Sequence, residues 1–73
     1  MSIVKIYTTE TCPYCFILKD WLTEIGVSYE EHHASEKPEL EVVPATFIGE
    51  DGPFIGVDRP SITAALKSHG LLS

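Results

Sequence analysis

Long apolar runs are missing from this chain. No stretch reaches the roughly 18 residues that a membrane-spanning helix needs. A charged-then-apolar leader with a small-residue cleavage site is absent too, so the chain is expected to be soluble and cytoplasmic, with no membrane partner. Basic residues are scarce: five Lys and Arg stand against eleven Asp and Glu, a formal charge of -6. Phosphate backbones are held by clustered cations, so this balance argues against nucleic acid. Cysteine is limited to two residues, Cys12 and Cys15. A loop that short stabilises a fold little, whereas disulfide-dense secreted domains use several long-spaced bridges, so the pair is not a staple. Repeats, low-complexity tracts and linkers are absent, and 73 residues leave room for one domain, 1–73, with a thin core.

What is present is organised around Thr11-Cys12-Pro13-Tyr14-Cys15. A C-x-x-C pair alone is ambiguous. One at a strand-to-helix turn reads as a redox dithiol of thioredoxin-like type. Ser2 to Thr8 supplies the strand: Ile3, Val4, Ile6 and Tyr7 form an almost continuous β-prone run suited to a central, doubly covered position. Pro13 suits the first helical position, where a missing N–H costs nothing. From there Cys15, Leu18, Leu22 and Ile25 share a helical face, with Lys19, Asp20, Thr23 and Glu24 largely on the other and Gly26 as the expected cap. Ile17 and Trp21 flank that stripe as helix-edge packing.

Val27 to Glu31 reads as a second, weakly polar edge strand, which gives a parallel β-α-β unit. The charged segment His32 to Glu41 has room for a loop or a short frayed helix; His32 and His33 read there as surface residues rather than as a ligand pair. Val42 to Ile48 is a strand entered through Pro44, and Gly49-Glu50-Asp51-Gly52 turns it into a hairpin partner, Pro53 to Gly56. A last helix is expected from Asp58 or Arg59 to about His69, with Pro60 in its first turn and Ile62, Ala65, Leu66 and His69 on one face. Gly70 ends it, and Leu71 and Leu72 are expected to fold back onto the core. The fold class is therefore α/β, with β-α-β followed by β-β-α.

At this point the residues match a known pattern. The run from Ile6 to Cys15, followed by Val43-Pro44 before a strand and Gly56-Val57-Asp58 before the last helix, resembles the glutaredoxins over nearly the whole chain. Cys-Pro-Tyr-Cys is the dithiol form of that family's active site. The resemblance implies a thioredoxin-like fold around a four-stranded mixed sheet and glutathione as co-substrate, with no metal. It also implies that Val43-Pro44 is a cis peptide facing the dithiol, turning the Val43 backbone toward the cysteinyl backbone of glutathione. Asp58, with the neighbouring amides of the last helix, would hold the γ-glutamyl end, in addition to capping that helix.

Three departures from the family pattern stand out. Thr9 occupies the place of a Lys three residues before the first cysteine, Ile55-Gly56 replaces Gly-Gly, and the middle is too short for the family's second helix. Arg59 is the expected substitute for that Lys, because a guanidinium forks onto a carboxylate. The implied glutathione contacts are thus Thr9, Tyr14, Val43, Pro44, Gly56, Val57, Asp58 and Arg59, with Pro13, Tyr14 and Pro44 shaping the site.

A thiolate, not a thiol, attacks a disulfide, and a cysteine at a helix N-terminus is lowered into the range of roughly 3.5 to 7.5. Cys12 is therefore expected to be the nucleophile, and Cys15, one turn further in, the resolving thiol. The implied activity is a glutathione-dependent thiol-disulfide oxidoreductase, monomeric, acting on disulfide-containing or glutathionylated proteins. Gly-x-x-Arg-Pro at Gly56 to Pro60 is also similar to the glutaredoxin-like electron donors of ribonucleotide reductase, which are reduced by thioredoxin reductase. A third reading, a [2Fe-2S] carrier built on Cys12-type thiolates, is disfavoured by Pro13.

Overall fold

A computed structural model of the chain describes residues 3–40 and 42–72. Five-residue strand β1 (Val4–Thr8) leads through a polar turn to helix α1 (Pro13–Glu24), and the chain returns as β2 (Glu30–His33). A single 3₁₀ turn, Ala34–Glu36, precedes the hairpin of β3 (Ala45–Ile48) and β4 (Asp51–Ile55), and helix α2 (Arg59–Ser68) closes the order. The sheet runs β2-β1-β3-β4, with β1 parallel to β2 and antiparallel to β3. This is the expected four-stranded mixed sheet with two helices, and β1 is an interior strand.

The core lies between the sheet and the two helices. Val4, Ile6 and Ile48 point from the strands into Leu18 and Leu22 of α1 and Ile62 and Leu66 of α2, all fully buried. Burying each of these side chains contributes roughly 1.5–3 kcal/mol. Pro13 begins α1 and Pro60 stands in the first turn of α2, as their missing amides favour. Asp58 caps α2 by accepting a hydrogen bond from the Ser61 amide at 3.5 Å.

Several boundaries differ from the sequence reading. The second strand begins at Glu30 rather than Val27, because Val27 turns inward to the core just after α1 and pairing with β1 starts only at Lys5 opposite Glu30. It also runs on to His33, so both histidines belong to a strand. Ile25, not Gly26, is the cap of α1; Gly26 turns the chain just beyond it. Val42 to Pro44 lie outside the third strand, and the fourth starts at Asp51, leaving a two-residue turn. Close approach explains Gly52: a Cβ there would meet the Thr46 carbonyl at 2.7 Å, beside the irregular register between Thr46 and Ile48. Leu72 packs against the core as expected, but Leu71 is 41% exposed. Ser2 and Glu41, included in expected segments, lie outside the described residues.

The second face of the sheet has a different cover. Tyr7 stacks on His32 at 5.3 Å between ring centroids and meets Phe47 edge-on at 5.6 Å. Lys37, just past the 3₁₀ turn, lays its ammonium 5.1 Å from the Phe47 centroid and 5.8 Å from that of Tyr7. One short turn and one cation thus stand where the family pattern has a helix.

Candidate active site

Both cysteines are free thiols at the head of α1. Cys12 is the N-cap residue in extended conformation, and its side chain makes no capping bond to the helix. Its backbone N–H donates to the Thr9 carbonyl at 3.4 Å, closing the turn that presents the dithiol. The sulfur instead donates to the Val43 carbonyl at 3.8 Å. Cys15 sits one turn in, on the buried face that carries Leu18 and Leu22. Cys12 keeps 8% of its surface and Cys15 1%, so what access the pair has is at Cys12.

Cys15 is pushed up from its ordinary 9.0 to about 11. Burial is the main cause, followed by its hydrogen bond to Cys12; the Thr9 backbone and the Lys19 charge oppose them. At neutral pH Cys15 is therefore a protonated thiol held against Cys12, a reserve rather than a first nucleophile.

The structure brings most of the expected site residues to one end of the sheet. The Val43-Pro44 peptide is cis and faces Cys12, and a second cis bond, Gly52-Pro53, was not anticipated. The Gly56 amide donates to the Pro44 carbonyl at 2.8 Å, tying the approach to α2 onto the proline. Gly56 does this at φ 74°, a left-handed conformation that a side chain would resist. Val57 packs against the core and Asp58 caps α2. Tyr14, 62% exposed, projects from the first turn of α1. Arg59 has a different seat: its guanidinium lies 5.9 Å from the Trp21 ring centroid.

Sequence reasoning missed a polar cluster beside the dithiol. A cleft of about 450 Å³ is lined by Thr8, Thr9, Glu10, Phe16, Lys19, Glu31, His32 and His33. In it Glu31 accepts from Thr8 Oγ1 at 2.8 Å and from Lys19 Nζ at 2.9 Å through the same oxygen. The Lys19 and Thr8 hydrogen bonds hold the Glu31 carboxyl below the usual range, and Glu31 in turn raises Lys19. His33 Nε2 stands 3.0 Å from Glu10. A hydrogen bond from its own backbone, then His33, lowers Glu10. The available signal was the four-residue step from Cys15 to Lys19, which sets them only about 40° apart around α1, so that Lys19 borders the Cys15 face rather than belonging to the other side as the sequence reading had it. Among the described residues no group of three or more His, Cys, Asp or Glu is placed to hold a metal ion.

Comparison with known proteins agrees with this geometry. A crystal structure of wheat glutaredoxin superposes with a TM-score of 0.63, at 23% identity, over 96% of this chain and 74% of that one, which establishes the fold. Glutaredoxin 3 of Escherichia coli K12 is 55% identical over 31 residues, 42% of this chain and 37% of its own. A glutaredoxin of Pseudomonas aeruginosa is 40% identical over an alignment of 83 positions that takes in 100% of this chain and 99% of the relative. The glutaredoxin family model matches residues 4–43, from the first residue of β1 to Val43 beside the dithiol. With a full-length relative at that identity, the chain belongs to the glutaredoxin family and is a thiol-disulfide oxidoreductase.

Proposed function

We propose that this oxidoreductase is glutathione-dependent and reduces both glutathione mixed disulfides and protein disulfides. The observation that supports the reading is the asymmetry of the dithiol: Cys12 at the helix head, keeping 8% of its surface with its sulfur on the Val43 carbonyl, and behind it Cys15, 1% exposed and pushed up to about 11. Cys12 attacks the glutathione sulfur of a mixed disulfide. A new S–S bond forms at Cys12, and the protein thiol departs with the electron pair and takes up a proton. A second glutathione then attacks the glutathione sulfur on Cys12, forming glutathione disulfide as the Cys12 sulfur leaves with its electron pair, and this route needs one cysteine. For a protein disulfide Cys12 attacks first and Cys15 displaces the reduced substrate, leaving the Cys12–Cys15 disulfide for glutathione to reduce.

In this reading the Val43 backbone lies along the tripeptide, Pro44 and Tyr14 flank its sulfur, and Asp58 meets its α-amine. Thr9, Gly56, Val57 and Arg59 complete the contacts. The reduced glutathione pool that the cycle draws on fits a cytoplasmic setting. A second reading, reduction by thioredoxin reductase with ribonucleotide reductase as one client, is favoured by Thr9 standing where the family has Lys and by the Gly-x-x-Arg-Pro run from Gly56 to Pro60.

One set of assays separates these routes. Reduction of a glutathionylated peptide and of a protein disulfide is followed with glutathione plus glutathione reductase, and again with thioredoxin reductase. Cys12→Ser is expected to abolish all turnover, while Cys15→Ser keeps peptide deglutathionylation and loses protein disulfide reduction. Equal loss in both variants would reject the one-cysteine route. Turnover with thioredoxin reductase alone would transfer the protein to the second reading.

A further inference from the structure

We propose that Lys19 is a positioning residue for the second half of the dithiol cycle: its ammonium, tethered by Glu31, steadies the thiolate that buried Cys15 must become before it attacks Cys12. Lys19 stands four residues after Cys15 on α1, so the two side chains are neighbours on one side of the helix. The side chain is only 22% exposed and its end is fixed. Nζ donates to Glu31 Oε2 at 2.9 Å and lies 4.7 Å from the Phe16 ring centroid. Glu31 is itself anchored by Thr8 at the end of β1. A flexible lysine is thereby converted into a charge of defined position, held between Glu31 and Phe16 one turn along α1 from Cys15.

The need for that charge follows from the chemistry. Once Cys12 carries a substrate in mixed disulfide, Cys15 loses its proton and attacks the Cys12 sulfur. The Cys12–Cys15 bond forms, the bond from Cys12 to the substrate sulfur breaks, and the electron pair leaves on that sulfur, which takes a proton from solvent. Cys12 and Cys15 end oxidised by two electrons, and the substrate disulfide ends as two thiols. Burial and Cys12 oppose a charge on Cys15; the Thr9 backbone hydrogen bond favours it first and the field of Lys19, the one side-chain cation among the described residues acting on it, second. The influence is mutual, since Cys15 also acts on Lys19.

The other ionisable groups nearby are accounted for. Cys12 opposes ionisation of Cys15. From β2, Glu31 faces Lys19, as does Tyr29 from the segment before that strand. Glu10 and His33 line the same cleft but are paired with each other, and His32, also in it, stands between Glu36 at 3.4 Å and Glu30 at 3.6 Å. At the head of α2, Asp58 is engaged by Ser61 and Arg59 by Trp21. The segment entering β3 presents Val43 and Pro44, neither of which titrates. Glu31 thus plays two parts with opposite signs: it holds Lys19 in place and it masks its charge.

Those signs supply the test, which rests on the dithiol cycle above yet has a readout that needs no turnover. In a Cys12→Ser background, the rate at which iodoacetamide alkylates Cys15 at about pH 8.5, where the thiol predominates, follows its thiolate fraction. Adding Lys19→Gln is expected to lower that rate roughly three- to tenfold, while Glu31→Gln, which keeps a hydrogen-bonding partner but removes the masking charge, raises it. Lys19→Arg restores the original rate. Shifts of the same direction in the Gln variants, or changes below about twofold in both, would overturn the assignment. With both cysteines intact, release of the leaving thiol from a Cys12 mixed disulfide slows by the same factor in Lys19→Gln; an unchanged release rate also overturns it. Shifted alkylation in a protein that glutathione does not turn over would sink the glutathione reading and leave the role of Lys19 standing.

Discussion

The two faces of the sheet are covered by different means. On one, two helices press aliphatic side chains onto Val4, Ile6 and Ile48 until none retains solvent contact. On the other, Tyr7, His32 and Phe47 form a small aromatic layer beneath Lys37 and a single 3₁₀ turn. The contrast teaches that the helical face holds most of the cohesion of the fold. The chain can dispense with a helix on the other face because aromatic rings bury much area per residue and tolerate a cation above them. The dithiol belongs to the helical face, since Cys15 continues the stripe of Leu18 and Leu22.

Three measurements would break or sharpen this contrast. The largest effect is expected for Leu22→Ala, which opens a cavity in the aliphatic layer and should cost about 2–5 kcal/mol in urea unfolding. Next comes the alkaline limb of the stability curve of the reduced protein. Cys15 is raised in the folded state to about 11, so its thiol stabilises the fold fully below the ordinary 9.0 and loses that contribution as pH climbs through the folded value. Stability should therefore fall over that interval, and Cys15→Ser should flatten the fall; parallel curves would remove the claim. Smallest is Phe47→Ala on the aromatic face, expected to cost about 1–2 kcal/mol because its ring is only half-buried. A loss there as large as that of Leu22→Ala would show that both faces carry the fold equally.

Much of this was legible in the chain itself. Prolines at helix starts, the aliphatic spacing of α1 and α2, and the dithiol between strand and helix follow from local chemistry, and the structure places them as expected. The Val43-Pro44 geometry came through family resemblance alone; spacing could show only a proline before a strand. The second strand was misplaced by three residues because Glu-Glu-His-His carries no apolar alternation to fix its start. Its position depends on partners that sequence does not reveal: Tyr7 under His32, and Thr8 and Lys19 around Glu31. For the same reason the Lys19–Glu31 contact was invisible even though the Cys15–Lys19 step could be read, since a contact between a helix and a strand exists only once register is known. The seat of Arg59 on Trp21 likewise required the packing of the two helices.

Pro53 lies in β4, the outermost strand on one side of the sheet, and Glu30 and Glu31 lie in β2, the outermost on the other. An exposed strand edge is a template on which other chains can polymerise, and natural sheets blunt it with proline or with charge. Here each border carries one of these devices. A small thiol-disulfide oxidoreductase is thereby guarded against strand-to-strand pairing with other chains along its own rims.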